Sequence, residues 1–235
     1  MTHPWDELNI IRSKLEKLEL AETVEPASRR SSDGGYPWMV PSSASSGSSG
    51  SSTATAYRSP NSGGIPGVNT PEEKPKKKYD AEKCIDIVYE YLEMCWTIGV
   101  ANANDSLNTS YASQDAEMRA AIYEKVAGED FTQRIRKWAE KGDLDAMVRV
   151  AETDANRVTN EASTVTAKKA KAKYKTWITM EDDKVRPTHQ YLHGMKIPAN
   201  DYFVTFDGDK AKEPEKFSKA ENNVNCRCQL HYTYE

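Results

Sequence analysis

The sequence predicts an α+β protein: a helical region followed by a small antiparallel sheet, preceded by a disordered tether and an N-terminal amphipathic helix. Three observations predict it. From Tyr79 onward, apolar residues recur at three- and four-residue steps, the period of a helix with one buried face. After Tyr174 the pattern changes to short aromatic and β-branched runs broken by turn residues. Between 25 and 78 the chain is rich in Ser, Gly and Pro, too poor in apolar groups to offset the entropy of ordering it. The expected organisation is therefore a helix over 1–24, a linker over 25–78 and a folded domain over 79–235.

The first helix is read from "PWDELNIIRSKLEKLEL". Trp5, Leu8, Ile11, Leu15 and Leu18 form one apolar stripe, and Pro4 suits a first-turn position. So short a helix is marginal alone, which suggests a segment that folds when its stripe enters a partner's groove. The linker, with "SSASSGSSGSST" at its centre, reads as a flexible tether, and "EEKPKKK" as its solvated end.

In "YDAEKCIDIVYEYLEMCWTIGV" the residues Ala81, Cys84, Ile85, Val88, Tyr91, Leu92, Cys95 and Trp96 share one helical side, with both cysteines as core groups. Further helices are expected over 115–127, 131–141 and 144–173, the last capped by Asp143. Its stripe of Met147, Val150, Ala151, Asp154, Val158 and Ala162 contains a carboxylate, and Glu152, Asn156, Arg157 and Asn160 also need partners. "YKTWITM", "YFVTFDG" and "RCQLHYTYE" read as strands; "RPTH", "HGMKIPAND" and the stretch after "FDGD" read as turns.

Composition narrows the function. The chain has 235 residues, is 29% charged and 37% hydrophobic, and carries a formal net charge of −4, which does not mark a wholesale nucleic-acid binder. No run approaches the roughly 18 apolar residues of a membrane helix. "MTHPWDELNI" lacks the basic start and apolar run of a signal peptide, so synthesis in the cytosol is expected, with reduced cysteines.

One combination of residues is specific. Trp177, then Asp182, Val185, Arg186, Pro187 and His189, then Gly194, then Asn225-Cys226-Arg227-Cys228, resembles the head morphogenesis domain of tailed phages, the Mu F-like minor capsid protein family. "RVAETDANRVTNEA" resembles that family's preceding helix, and the likeness runs from about Ala120 to the C-terminus. The resemblance implies a low-copy virion component of the head interior, present in the host cytoplasm during assembly. It implies portal, capsid or scaffolding proteins as partners and a role in DNA packaging and ejection; no established catalytic mechanism comes with the domain, so no enzymatic activity is expected, and the missing apolar run leads us to expect no membrane association.

The same residues suggest local chemistry. Cys226 and Cys228 point the same way if extended, and two thiolates with an imidazole suit zinc. His189 is the third candidate ligand and His193, four residues on, the fourth; Asp182 and His231 are substitutes. The alternative is a pair of packed thiols beside a hydrogen-bonded histidine, favoured by a Cys-x-Cys spacing shorter than the usual zinc motif. No cofactor is certain, and Zn2+ is the candidate. Asp182 and Arg186 are expected to pair and orient a loop fixed by Pro187, with an acid–base role for Asp182, Arg186 and His189 as the alternative. Lys168, Lys169, Lys171, Lys173 and Lys175 crowd one segment and are candidate contacts to DNA phosphates, or else a solvated helix end. Two rival functions remain: an enzyme or toxin-like effector delivered with the genome, and a plain DNA-binding protein.

Overall fold

The computed structural model describes residues 4–20 and 78–235, which belong to one compact unit. The linker expected over 25–78 lies outside the described residues, apart from Lys78.

A 3-10 turn, Pro4–Glu7, leads into α1, Leu8–Glu16. Strand β1, Glu19–Leu20, then pairs antiparallel with β2, Lys78–Tyr79. The stripe expected to seat in a partner's groove packs instead on this chain's own core. Ile11 and Leu15 are buried there, Leu8 and Leu18 pack against it, and the Tyr91 hydroxyl donates to the Pro4 carbonyl at 2.8 Å. The helices over Ala81–Leu107 and Leu144–Lys169 leave an apolar strip that the α1 stripe covers.

The long helix α2, Ala81–Leu107, starts on Asp80, whose side chain accepts from the Lys83 amide. It ends at Asn108, which takes a left-handed conformation that Asn tolerates. Helices α3 (Asp115–Ile122) and α4 (Phe131–Lys141) follow, the latter with a full capping box between Asp130 and Gln133. Helix α5, Leu144–Lys169, is capped by Asp143 as its sequence indicates, though it stops short of Lys173. The cysteines of α2 are buried in the helical core.

Helices α2 and α5 cross with almost no space between them. A Cβ at Gly99 would lie 2.2 Å from the Thr159 carbonyl oxygen and 2.7 Å from the Ala162 Cβ. The contact is sealed by hydroxyls: Ser163 Oγ donates to the Gly99 carbonyl at 2.9 Å, and Thr159 Oγ1 to Cys95 at 3.2 Å. Asp154, the carboxylate interrupting the α5 stripe, is held by Arg134 at 2.6 Å and by Arg157 at 3.0 and 3.1 Å. A fully buried carboxylate is tolerable only with such partners.

The C-terminal sheet has the order β4-β3-β7, with β3 at Tyr174–Ile178, β4 at Lys196–Pro198 and β7 at Gln229–Thr233, both neighbours antiparallel to β3. Strand β4 falls in "HGMKIPAND", read from sequence as turn, because its pairing partner rather than its own composition makes it extended. The expected strand in "YFVTFDG" shrinks to β5, Phe203–Val204, which pairs with β6, Lys210–Ala211. Two four-residue helices complete the fold, α6 (Pro187–Gln190) and α7 (Ala220–Asn223). Trp177, Leu192, Phe203, Phe217, Cys226, Cys228, Leu230 and Tyr232 make a second core around them.

Candidate functional site

The site is assembled where α6 meets the turn that precedes β7. Pro187 occupies the first turn of α6, where its missing N–H costs nothing, and sets the direction from which His189 enters the core. Asn225 has φ of 56°, a left-handed conformation that turns the chain and delivers Cys226 inward. Gly194, at φ of 73°, makes the opposite turn, and its amide donates to the Trp177 carbonyl at 2.8 Å. The motif residues Gly194 and Asn225 therefore act through the backbone.

His189 Nδ1 lies 3.5 Å from Cys226 Sγ and 3.5 Å from Cys228 Sγ, and all three side chains are buried. Trp177 meets the imidazole edge-on with centroids 5.4 Å apart, and Phe217 covers it at the same distance. His189 Nε2 and Trp177 Nε1 are buried with no hydrogen-bond partner. Burial pushes the Cys226 thiol well above the usual thiol range, Cys228 beside it adds to the rise, and His189 opposes it. A small cavity lined by Lys184, Val185, Arg186, Asn225 and Arg227 touches all three donor side chains.

Helix α5 fixes this turn from behind. Asn156 Nδ2 and Asn160 Nδ2 donate to the Cys228 carbonyl at 3.2 and 3.0 Å. Asn156 also reaches Glu215 Oε1 at 3.3 Å. Glu215 is a buried carboxyl with an unpartnered Oε2, pushed well above the usual carboxylate range by burial, then by Cys226 and Asp154. Sequence reading missed it, since in "KEPEKF" it looks like one more surface charge. A second carboxylate, Asp209 of the "FDGD" stretch, accepts from Ser218 N and Oγ, Lys219 N, Asn222 Nδ2 and its own neighbour Lys210 N. Burial acts to raise its pKa, and these donors together bring it far below the ordinary range. Asp209 thus clamps the β5–β6 hairpin onto the start of α7.

Several expected arrangements are corrected. His193 is not with the thiols: its Nδ1 faces the Thr179 hydroxyl at 2.8 Å, because α6 ends before the residue that would place it on the face of His189. His231 lies within β7, opposite Thr176, and is not in the donor group either. Asp182 and Arg186 do not pair. Asp182 accepts from Arg227 at 2.6 Å, which holds its carboxyl below the usual range, while Arg186 donates to the Val224 carbonyl at 2.5 Å. Both contacts tie the "DDKVRPTH" loop to the Cys-x-Cys turn from opposite sides. Of the five lysines, Lys175 is buried with Nζ on the Lys212 carbonyl at 2.7 Å, because its alternation in β3 points it inward. Lys169 is paired with Glu117 at 2.5 Å, and Lys168, Lys171 and Lys173 are exposed.

This fold and motif define the class, and comparison with known proteins supplies the family. Residues 112–231, half of the chain, match the family described as Phage Mu protein F like protein. The chain belongs to that family. A curated relative, NAD(+)--arginine ADP-ribosyltransferase EFV of Enterococcus faecalis (strain ATCC 700802 / V583), is 36% identical over 85 residues, which are 34% of this chain and 17% of that protein. The chain thus spans about a sixth of that relative's length. That relative overturns the expectation that enzymatic activity is excluded, since a stretch of this chain is shared with a protein named as an enzyme. No solved structure matches the chain.

Proposed function

We propose that the chain is a minor head protein bound at the portal, where it takes part in head assembly and in the packaging and ejection of DNA. The observation that carries this reading is membership of the Mu F-like family over residues 112–231. The structure offers a surface for it. Tyr202, Val204 and Phe206 alternate with the inward Phe203 and Thr205, and stand 52%, 47% and 64% exposed along the β5 edge. Large apolar side chains grouped in this way fit a protein contact better than a free surface. The exposed Lys168, Lys171 and Lys173 are the candidate contacts to DNA phosphates.

Co-purification of the full chain with portal protein, run next to binding of naked DNA, tests the reading. Portal capture that is lost in a Tyr202→Ser, Phe206→Ser variant of unchanged melting temperature is the expected result. Retention of DNA with no portal capture would replace the reading by that of a plain DNA-binding protein. A second reading, an effector delivered with the genome, is favoured by the name of the E. faecalis relative. Arginine-dependent release of nicotinamide from NAD+ by the purified chain would select it.

A further inference from the structure

We propose that His189 Nδ1, Cys226 Sγ and Cys228 Sγ bind one Zn2+, with a water in the adjoining cavity as the fourth ligand. The distances carry the argument. With zinc bonds of about 2.3 Å to sulfur and about 2.0 Å to nitrogen at a tetrahedral angle, sulfur and nitrogen must stand about 3.5 Å apart. Both thiols stand 3.5 Å from the same ring nitrogen. All three donor atoms lie within 4.8 Å of one another, and they are the group of this kind found among the described residues.

The surroundings agree. Two thiols and an imidazole are a soft and borderline set that selects zinc over calcium or magnesium. A disulfide between residues so close in sequence is strained, and the geometry aims both sulfurs at the histidine. The Cys228 carbonyl is held by Asn156 and Asn160, and the loop carrying His189 by the Asp182–Arg227 and Arg186–Val224 bonds. Donor residues on two separate segments are thus fixed in position by neighbours that do not themselves ligate, as second shells of metal sites are. The cavity touching all three donors measures about 10 Å³, room for roughly one water. Binding converts both thiols to thiolates, so two protons are released per zinc, and the metal replaces hydrogen bonds that sulfur makes weakly.

The metal would act as a staple, joining α6 to the turn that precedes β7. Full-length protein purified without chelators is expected to carry one zinc per chain by elemental analysis. A Cys95→Ala variant, altered in the helical core, should keep it, and Cys228→Ser should lose it. Because Cys228→Ser could also unfold the sheet, wild-type protein stripped of metal supplies the second measurement. Titration with Co2+ should give a sulfur-to-cobalt charge-transfer band and tetrahedral visible bands, and zinc should raise the melting temperature where Mg2+ does not. Absence of stoichiometric metal from the purified chain, together with no cobalt–thiolate band from folded apoprotein, would overturn the proposal.

Discussion

At the scale of single residues, the chain places groups such as Asp154 and Lys175 in the interior, where they ordinarily do not go, and holds these two with specific partners. Lys175 shows the cost of such placement. Burial lowers its pKa to about 8, with Glu213 and Asp201 opposing the fall and Lys212 and Lys168 adding to it. A lysine whose folded pKa lies below its unfolded value binds fewer protons in the native state, so its contribution to stability rises with pH between the two values. We expect the stability difference between Lys175→Met and wild type to be most favourable to the variant below about pH 8. It should decline toward about pH 10.4, the unperturbed lysine value. Urea unfolding of both proteins across that window checks it; a difference independent of pH would mean that Lys175 keeps an ordinary pKa. The alternation of "YKTWI" indicated a half-buried strand, but which face met the core was set by pairing with β7.

At the scale of elements, the crossing of α2 and α5 leaves no room for a side chain at Gly99. Alanine at Gly99 would favour the helix by roughly 1 kcal/mol on intrinsic propensity. Its Cβ, however, would meet a backbone carbonyl at 2.2 Å, which cannot rotate away as a side-chain end could. Overpacking of this kind typically costs 1–3 kcal/mol, so the clash should win, and Gly99→Ala is expected to lose about 2 kcal/mol in denaturant unfolding. The two helices themselves were legible in the sequence, as were the Asp143 cap and the buried stripe containing Asp154. The partners of that carboxylate were not, because Arg134 comes from a different helix and Arg157 could equally have faced solvent. Strand β4 was illegible for a related reason: "KIP" has no alternation, and it becomes a strand by pairing with β3.

At the scale of the whole molecule, the N-terminal helix belongs to the folded body. Leu15 is fully buried in the core that α1 shares with α2 and α5. Truncating such a leucine typically costs 2–5 kcal/mol, so Leu15→Ala should lower stability by about 3 kcal/mol and broaden or lower the thermal transition. Were α1 a free docking peptide, the variant would melt as wild type does. An amphipathic stripe states that a helix will be covered, but not by what, and the identity of the cover depends on where the chain returns after 20. The pairing of β1 with β2 supplies that answer, bringing the end of the N-terminal segment beside the start of α2.

The sequence by itself determined the long helices, strands β3 and β7, the α+β class and the family resemblance, because periodicity and the Asp182-to-His189 and Asn225-to-Cys228 spacings are properties of the chain alone. It also named His189, Cys226 and Cys228 as candidate partners. Only the tertiary structure decided that these three meet at 3.5 Å while His193 and His231 stand apart, that Asp182 takes Arg227 and not Arg186, and that Lys175 points inward. The physical reason is one and the same. Local pattern shows that one face of an element is covered, whereas which face that is in a strand such as β3, and the partner of a polar side chain, are settled by segments tens of residues away that the pattern does not describe.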